Sequence, residues 1–240
     1  VGLLAREPAE AEALAAECLG DPPIDHAGYR ELLARMPLVL RDLAGLSGAA
    51  RATIIRQVGR SVDGMQSFVR RSDARGGLTL GSIEELRDYC YAVAGIVGEM
   101  LTELYLEDRV ELMADAEGLR SRGAAFGEGL QLVNVLKDAP RDAAEGRVFL
   151  PPGTTRVVLE LARADLDAAA EYVGLLRNAG TDSRLVAFNA FISGLARSNL
   201  RILAERGPGA KLSRGEVASV AASVAAELAP GALADLRNAD

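Results

Sequence analysis

The chain has 240 residues, which is enough for one large helical domain, or two small ones, with a substantial hydrophobic core. The net charge of -7 and the lack of a basic stripe with interleaved aromatic residues argue against nucleic-acid binding and against electrostatic attachment to an anionic bilayer. Trp is absent and aromatic residues make up 4% of the chain, so the core must be built mainly from Ala, Leu and Val. Ala and Leu are strong helix formers, and the composition therefore favours an all-α protein.

The only two cysteines, Cys18 and Cys90, lie far apart in the sequence and do not indicate a disulfide framework. This usage is typical of a reducing compartment, and we expect a cytoplasmic location. No run of about 18 apolar residues predicts a membrane-spanning helix, and the N-terminal sequence lacks the features of a signal peptide. The chain does not begin with Met, so we expect a processed, tagged or truncated piece of a protein.

Helical periodicity and helix-boundary signals predict helices along most of the chain. Ser47 is a suitable N-cap for a long helix, and Ser82 followed three residues later by Glu85 forms a capping box. Pro37 is expected in the first turn of a separate short helix. The predicted helices cover residues 9–19, 27–35, 37–44, 48–69, 83–106, 119–137, 157–179, 182–205 and 214–228. No alternating pattern typical of a strand extends beyond a few residues.

The segment 127–142 carries the most informative polar pattern. Gln131, Asn134, Asp138 and Asp142 follow one another at spacings of three, four and four, which places two amides and two carboxylates on one helix face. Two carboxylates one turn apart can hold Mg²⁺ and leave coordination positions for water and phosphate, and such an ion can neutralise a leaving diphosphate. The same spacing is also typical of a solvated polar face, because a motif of two residues has a high false-positive rate.

A second segment, 88–101, combines small and apolar residues. Ala94, Gly95 and Gly98 form a patch on a predicted helix in which each glycine costs about 1 kcal/mol relative to alanine. One interpretation is a tightly packed neighbouring helix. The other is an apolar chain lying in a tunnel. The wall of that tunnel would include Val93, Val97 and Leu101.

Three stretches together resemble the squalene/phytoene synthase family. YCYAVAGIVGEML at 89–101 is similar to the family signature Y-C-x-x-V-A-G-x-V-G. LQLVNVLKDAPRD at 130–142, followed by GRVFLP at 146–151, resembles the second aspartate-rich motif and its trailing G-R-x-F-x-P. GMQSF at 64–68 resembles the G-M-x-x-F that precedes them, and the order and separation also agree. The likeness is dense from 32 to 151 and weak beyond.

The resemblance implies an all-α protein in which a single-layered bundle of helices surrounds a central apolar cavity, the isoprenoid synthase fold. It implies a Mg²⁺-dependent head-to-head condensation of two prenyl diphosphates. The leading expectation is two farnesyl diphosphates giving presqualene diphosphate and a squalene-type product, for which NADPH would also be needed. The alternative is phytoene synthesis from geranylgeranyl diphosphate. Such substrates and products suit a soluble or peripherally membrane-associated protein, and the oligomeric state is left open.

The family motifs also imply roles for individual residues. Asp138 and Asp142 are expected to bind Mg²⁺ and, with Tyr89 near the reacting carbons, to be catalytic. Gln131 and Asn134 are expected to line the diphosphate region. The expected tunnel-lining residues are Val93, Ala94, Val97 and Gly98.

The sequence departs from the family at its beginning, where the first aspartate-rich motif is not found. We therefore expect residues 1–240 to form a single helical domain that lacks the N-terminal helices carrying that motif. A non-catalytic relative, acting as a helical binding or assembly protein, is the alternative function. Asn199 stands where many members carry Tyr, and Lys211 and Arg214 are expected to represent the basic residues that follow. The single histidine, His26, is not expected to be catalytic.

Overall fold

The computed structural model describes residues 8–22, 24, 26–73 and 75–227. These residues form an almost entirely helical protein, which confirms the all-α class. The helices are α1 (Pro8–Gly20), α2 (Ala27–Gly45), α3 (Gly48–Val69), α4 (Ile83–Cys90), α5 (Ile96–Asp108), α6 (Ala116–Ala144), α7 (Thr155–Asn178), α8 (Ser183–Arg206) and α9 (Arg214–Glu227). A π-helical segment (Tyr91–Gly95) joins α4 to α5, and a 3-10 segment (Val110–Asp115) precedes α6. The ends of the predicted domain, residues 1–7 and 228–240, lie outside the described residues.

The chain divides into two compact units, Val1–Gly59 and Arg60–Asp240. In the smaller unit, Ala11, Leu40 and Leu43 form a local hydrophobic core. α2 runs without a break through Pro37, so the two separate helices predicted for this segment are one. Pro37 is tolerated inside the helix although it removes one main-chain donor.

The core of the larger unit is mainly aliphatic, as the composition predicts. Each fully buried leucine contributes about 1.5–3 kcal/mol relative to an exposed position. The leucines with the lowest exposure in this unit are Leu80, Leu86, Leu112, Leu119, Leu132, Leu136, Leu166, Leu176 and Leu203. Three of the helices that supply them, α6, α7 and α8, also surround the candidate site described below.

The small-residue patch predicted on 83–106 lies against the glycine-rich part of α6. A β-carbon on Gly127 would overlap the carbonyl oxygen of Ala94, and Gly123 faces Gly98 in the same manner one turn away. The two backbones thus approach to a distance that only glycine allows. The tightly packed helix is therefore present, and the predicted continuous helix is interrupted by a π-helical turn at this place.

Two short strands, one after the loop that follows α3 and one after the end of α6, form a parallel ribbon. β1 (Leu78–Thr79) pairs with β2 (Arg147–Val148), with Leu78 opposite Arg147. The Leu80 N–H donates to the carbonyl of Val148 at 2.9 Å and extends the pairing. The ribbon thereby holds the non-helical segment after α6 beside the beginning of α4. None of the described helices combines the length and apolarity needed to span a membrane.

Candidate functional site

The second half of α6 carries the four polar residues predicted to share a face. Asp138 and Asp142 are largely buried, with side-chain exposures of 17% and 13%. Gln131 is partly buried, whereas Asn134 is exposed and its Oδ1 accepts a hydrogen bond from Lys137 Nζ at 2.7 Å. The helix therefore presents two carboxylates and two amides over about three turns.

Among the residues that the structure describes, four cationic side chains surround the two carboxylates. Lys211 Nζ, from the loop between α8 and α9, lies 3.2 Å from Asp138 Oδ1. Arg147, from β2, has Nη2 at 3.6 Å from Asp142 Oδ1. The complete set is Lys137, Arg141, Arg147 and Lys211. Arg147 also pairs with Glu145, so this cluster combines four cations with three carboxylates. Its remaining excess of positive charge suits an anion such as a diphosphate.

The fit to Mg²⁺ rests on the same carboxylates. Within the described ranges, no three His, Cys, Asp or Glu side chains come together as a metal site, so α6 offers at most two acidic ligands. The cationic nitrogens around Asp138 and Asp142 stand 3.2–3.7 Å from their oxygens, beyond the usual length of about 2.7–2.9 Å for a charged hydrogen bond. Mg²⁺ is often bound by one or two carboxylates together with substrate phosphates. The donor set therefore fits an ion that binds with a diphosphate.

Tyr89, at the end of α4, lies between two other aromatic rings. It stacks on Phe149 with ring centroids 4.7 Å apart, and Phe68 meets it edge-on at 5.3 Å. Burial raises the pKa of the Tyr89 hydroxyl, and the negative charge of Asp142 acts in the same direction. The hydroxyl is consequently protonated at neutral pH. The charge of Asp142 affects its pKa because the hydroxyl lies near the carboxylate face of α6.

An apolar cavity of about 180 Å³ lies among the π-helical segment, α5, α6, α7 and α8. All four residues predicted to line a tunnel border it: Val93, Ala94, Val97 and Gly98. Leu101, the other predicted wall residue, borders it as well. The remaining wall comes from α6, α7 and α8, and its residues are Gly123, Phe126, Gly127, Leu130, Tyr172, Asn189 and Ile192.

The polar groups around this cavity are hydrogen-bonded within the protein. Tyr172 OH lies 3.0 Å from Thr102 Oγ1, which itself lies 2.8 Å from the carbonyl oxygen of Gly98 and donates to it. Asn189, 3% exposed, donates from Nδ2 to the carbonyl of Leu185 at 2.9 Å. Burial raises the pKa of Tyr172, which stays neutral. The cavity wall is thus predominantly apolar and uncharged.

Sequence reasoning missed the part of the wall that comes from distant helices. Tyr172 and Asn189 carry no local signal, because their positions depend on how α7 and α8 pack. The spacing of Gly123 and Gly127 on α6 was a usable signal, since paired glycines one turn apart indicate close helix approach.

Lys211 lies at the carboxylate face, whereas Arg214 begins α9 and makes no ion pair among the described residues. Asn199 bonds within its own helix.

Comparison with known proteins adds a family match. A sequence profile described as squalene/phytoene synthase matches residues 9–239. The squalene synthase of Schizosaccharomyces pombe is 29% identical over 122 residues, which are 51% of this chain and 26% of that protein. The chloroplastic phytoene synthase of Narcissus pseudonarcissus is 31% identical over 149 residues, 62% of this chain and 32% of that protein. The matched part thus spans between a quarter and a third of these curated relatives.

Solved structures share the fold. A complex of TcSQS with the ligand BPH1237 has a TM-score of 0.64 at 22% identity, covering 90% of this chain and 70% of that one. A complex of TcSQS with E5700 has a TM-score of 0.62 at 23% identity, covering 92% and 70%. At this identity the likeness concerns the arrangement of the helices.

Proposed function

Because the chain belongs to the squalene/phytoene synthase family, a family of prenyltransferases, we propose that it catalyses the Mg²⁺-dependent head-to-head condensation of two prenyl diphosphates. One observation supports this most: α6 carries the carboxylate pair on its second half and a wall of the apolar cavity on its first half. Leu130, the last cavity residue of α6, precedes Asp138 by about 12 Å along the helix axis. This arrangement suits a molecule with an anionic head and an apolar tail.

In this proposal, Asp138 and Asp142 are the residues that hold Mg²⁺. When bound, the ion neutralises the charge that develops on the departing diphosphate. Lys211 and Arg147 bind diphosphate oxygens, for which their positions 3.2 and 3.6 Å from the carboxylates suit them. Several fixed cations around one anion stabilise charge without reorganisation.

The other site residues orient the head group and keep water out. Gln131 and Asn134 supply amide donors to the phosphates. Tyr89, protonated and packed between Phe68 and Phe149, presents its hydroxyl near the carboxylate face. The tail lies against Val93, Ala94, Val97 and Gly98, whose apolar surface excludes the water that would quench an allylic cation.

Two farnesyl diphosphates are the favoured substrates, with presqualene diphosphate and a squalene-type hydrocarbon as products. NADPH is then the hydride donor for the last step. Phytoene formation from geranylgeranyl diphosphate is the alternative reaction within the family.

The match over 9–239 spans both compact units and supports assigning them to one catalytic domain.

A non-catalytic binding or assembly protein is the second candidate function. It is favoured by one observation: the described residues bring no third acidic ligand to Asp138 and Asp142. A single carboxylate pair holds Mg²⁺ weakly unless substrate phosphates complete the coordination. The surrounding cations argue against this candidate, because an assembly protein has no need of an anion site.

Product formation from radiolabelled farnesyl or geranylgeranyl diphosphate, with Mg²⁺ and with or without NADPH, tests the proposal. The chain is compared with a version extended upstream in its reading frame, and each with its Asp138→Ala/Asp142→Ala variant. We expect a hydrocarbon whose formation falls by at least about 10²-fold in the double variant. Asp108→Asn, at a carboxylate that pairs with Arg109 on the surface, is the control and should leave product formation unchanged. No product from either substrate in any form favours the non-catalytic protein.

A further inference from the structure

A main-chain hydrogen bond connects the loop after α8 to the interior of α6. The Gly209 N–H donates to the carbonyl oxygen of Leu136 at 3.1 Å. In a regular helix that carbonyl would accept from the residue four positions later, which here is Pro140 and has no N–H. The proline thus releases an acceptor in the middle of α6, and the loop supplies the missing donor.

Side-chain packing reinforces this bond. A β-carbon on Gly209 would lie 2.9 Å from Pro140 Cγ, so the loop backbone rests directly on the proline ring. Gly209 has φ +92, a conformation that residues with a β-carbon rarely adopt. Both the close approach and the backbone conformation require glycine. Pro37 in α2 is different, since no described loop residue donates to the carbonyl of Leu33.

Two residues after Gly209, Lys211 reaches the carboxylate face. Its Nζ lies 3.2 Å from Asp138 Oδ1, while its side chain is 57% exposed. An exposed lysine on a free loop would lose considerable rotamer entropy to hold this position. A backbone anchor two residues away reduces the number of positions that the ammonium group samples.

We propose that Pro140 and Gly209 form a latch that holds Lys211 at the anion site of α6. They are positioning residues: neither supplies a charge, and both act through Lys211. The loop 207–213 thereby forms one side of the anion site. The inference rests on the proposed function only in taking a diphosphate as the physiological anion.

The test measures binding of inorganic pyrophosphate with Mg²⁺ to the full chain by calorimetry. Pro140→Ala restores a helix N–H that competes with Gly209 for the Leu136 carbonyl. We expect affinity to fall by about three- to tenfold, the size of one ordinary hydrogen bond. The melting temperature should stay level or rise, because alanine is far better than proline inside a helix. Pro37→Ala is the matched control and should leave pyrophosphate binding unchanged.

Lys211→Met separates positioning from other effects. It should weaken binding about as much as Pro140→Ala, and the double variant should be no weaker than Lys211→Met alone, because the two changes remove one interaction. Additive losses, unchanged binding in Pro140→Ala, or weaker binding with a lower melting temperature would each overturn the latch.

Hydrogen exchange of the Gly209 amide gives a readout that needs no ligand. We expect slow exchange in the unaltered chain and faster exchange in Pro140→Ala, with unchanged exchange in Pro37→Ala. Equal Gly209 exchange in the unaltered chain and Pro140→Ala refutes the latch. If the unaltered chain binds no pyrophosphate, the proposed function loses its support, and the exchange result alone decides for or against the latch.

Discussion

The backbone carbonyl of Gly123 in α6 occupies the space in which a β-carbon on Gly98 of α5 would stand. The contact is between main chains, so no side-chain adjustment can make room for a larger residue. It lies beside the apolar cavity, which both glycines border. The width of the cavity and the stability of the helix pair therefore depend on the same two residues.

Gly98→Ala should lower the free energy of unfolding by about 1–3 kcal/mol, the usual cost of overpacking. Chemical denaturation measures the effect. Gly174→Ala is the matched control, because Gly174 also lies inside a helix but has open space at its β-carbon position. Removing that glycine should stabilise the protein by about 0.5–1 kcal/mol. Equal effects of the two substitutions would contradict the close contact.

Val97→Phe should narrow the cavity and weaken the binding of a prenyl chain while sparing the head group. We expect the KM for prenyl diphosphate to rise about tenfold, since each excluded methylene forfeits about 0.8 kcal/mol. Inorganic pyrophosphate with Mg²⁺ should bind as before. Val157→Phe, at an exposed valine outside the cavity, is the control. Loss of pyrophosphate binding in Val97→Phe would show that the cavity and the anion site are not separable.

Two buried carboxylates share one arginine near the π-helical segment. Arg87 Nη2 lies 2.8 Å from Glu128 Oε2, and Arg87 Nη1 lies 3.4 Å from Asp165 Oδ2. Burial raises the pKa of Glu128, against the opposing effect of Arg87, and burial likewise raises the pKa of Asp165. The folded protein therefore holds protons on these groups more tightly than the unfolded chain does.

Stability should consequently fall as the pH rises from the ordinary glutamate pKa of 4.5 through the raised value of Glu128. Glu128→Gln, which keeps the Arg87–Asp165 pair, should flatten this part of the profile. Urea denaturation between about pH 4 and pH 8 measures it. Glu160→Gln, at a surface glutamate paired with Arg156, should leave the slope unchanged. A steeper fall in Glu128→Gln would mean that Glu128 is ionised and stabilising.

Cys90 should be unreactive in the folded protein. It is fully buried, and burial raises the pKa of its thiol to about 12, which leaves almost no thiolate at neutral pH. Cys18 is partly exposed. Alkylation followed by mass spectrometry should label Cys18 in the native protein and Cys90 only after unfolding. Cys18→Ser should abolish native labelling, and fast labelling that persists in this variant would place Cys90 at an open surface.

Local sequence signals predicted helix boundaries well where the boundary depends only on nearby residues, that is, on helical periodicity and capping residues. The helix predicted at 48–69 is α3 within its exact bounds, and its Ser47 cap accepts from the Ala50 N–H. The helix predicted at 119–137 was expected to end near 137, whereas α6 continues through Pro140 to Ala144. A distant loop donates to Leu136 there, and no local pattern contains that donor.

The sequence by itself determined the all-α class, the family and the common face of Gln131, Asn134, Asp138 and Asp142, because composition, motifs and helical period are properties of neighbouring residues. Only the tertiary structure decided which separate helices meet. It brought Lys211 to Asp138, Gly123 against Gly98, and Tyr172 and Asn189 to the cavity. Such contacts join residues far apart in the chain, and they arise from the packing of whole helices, which no single segment encodes.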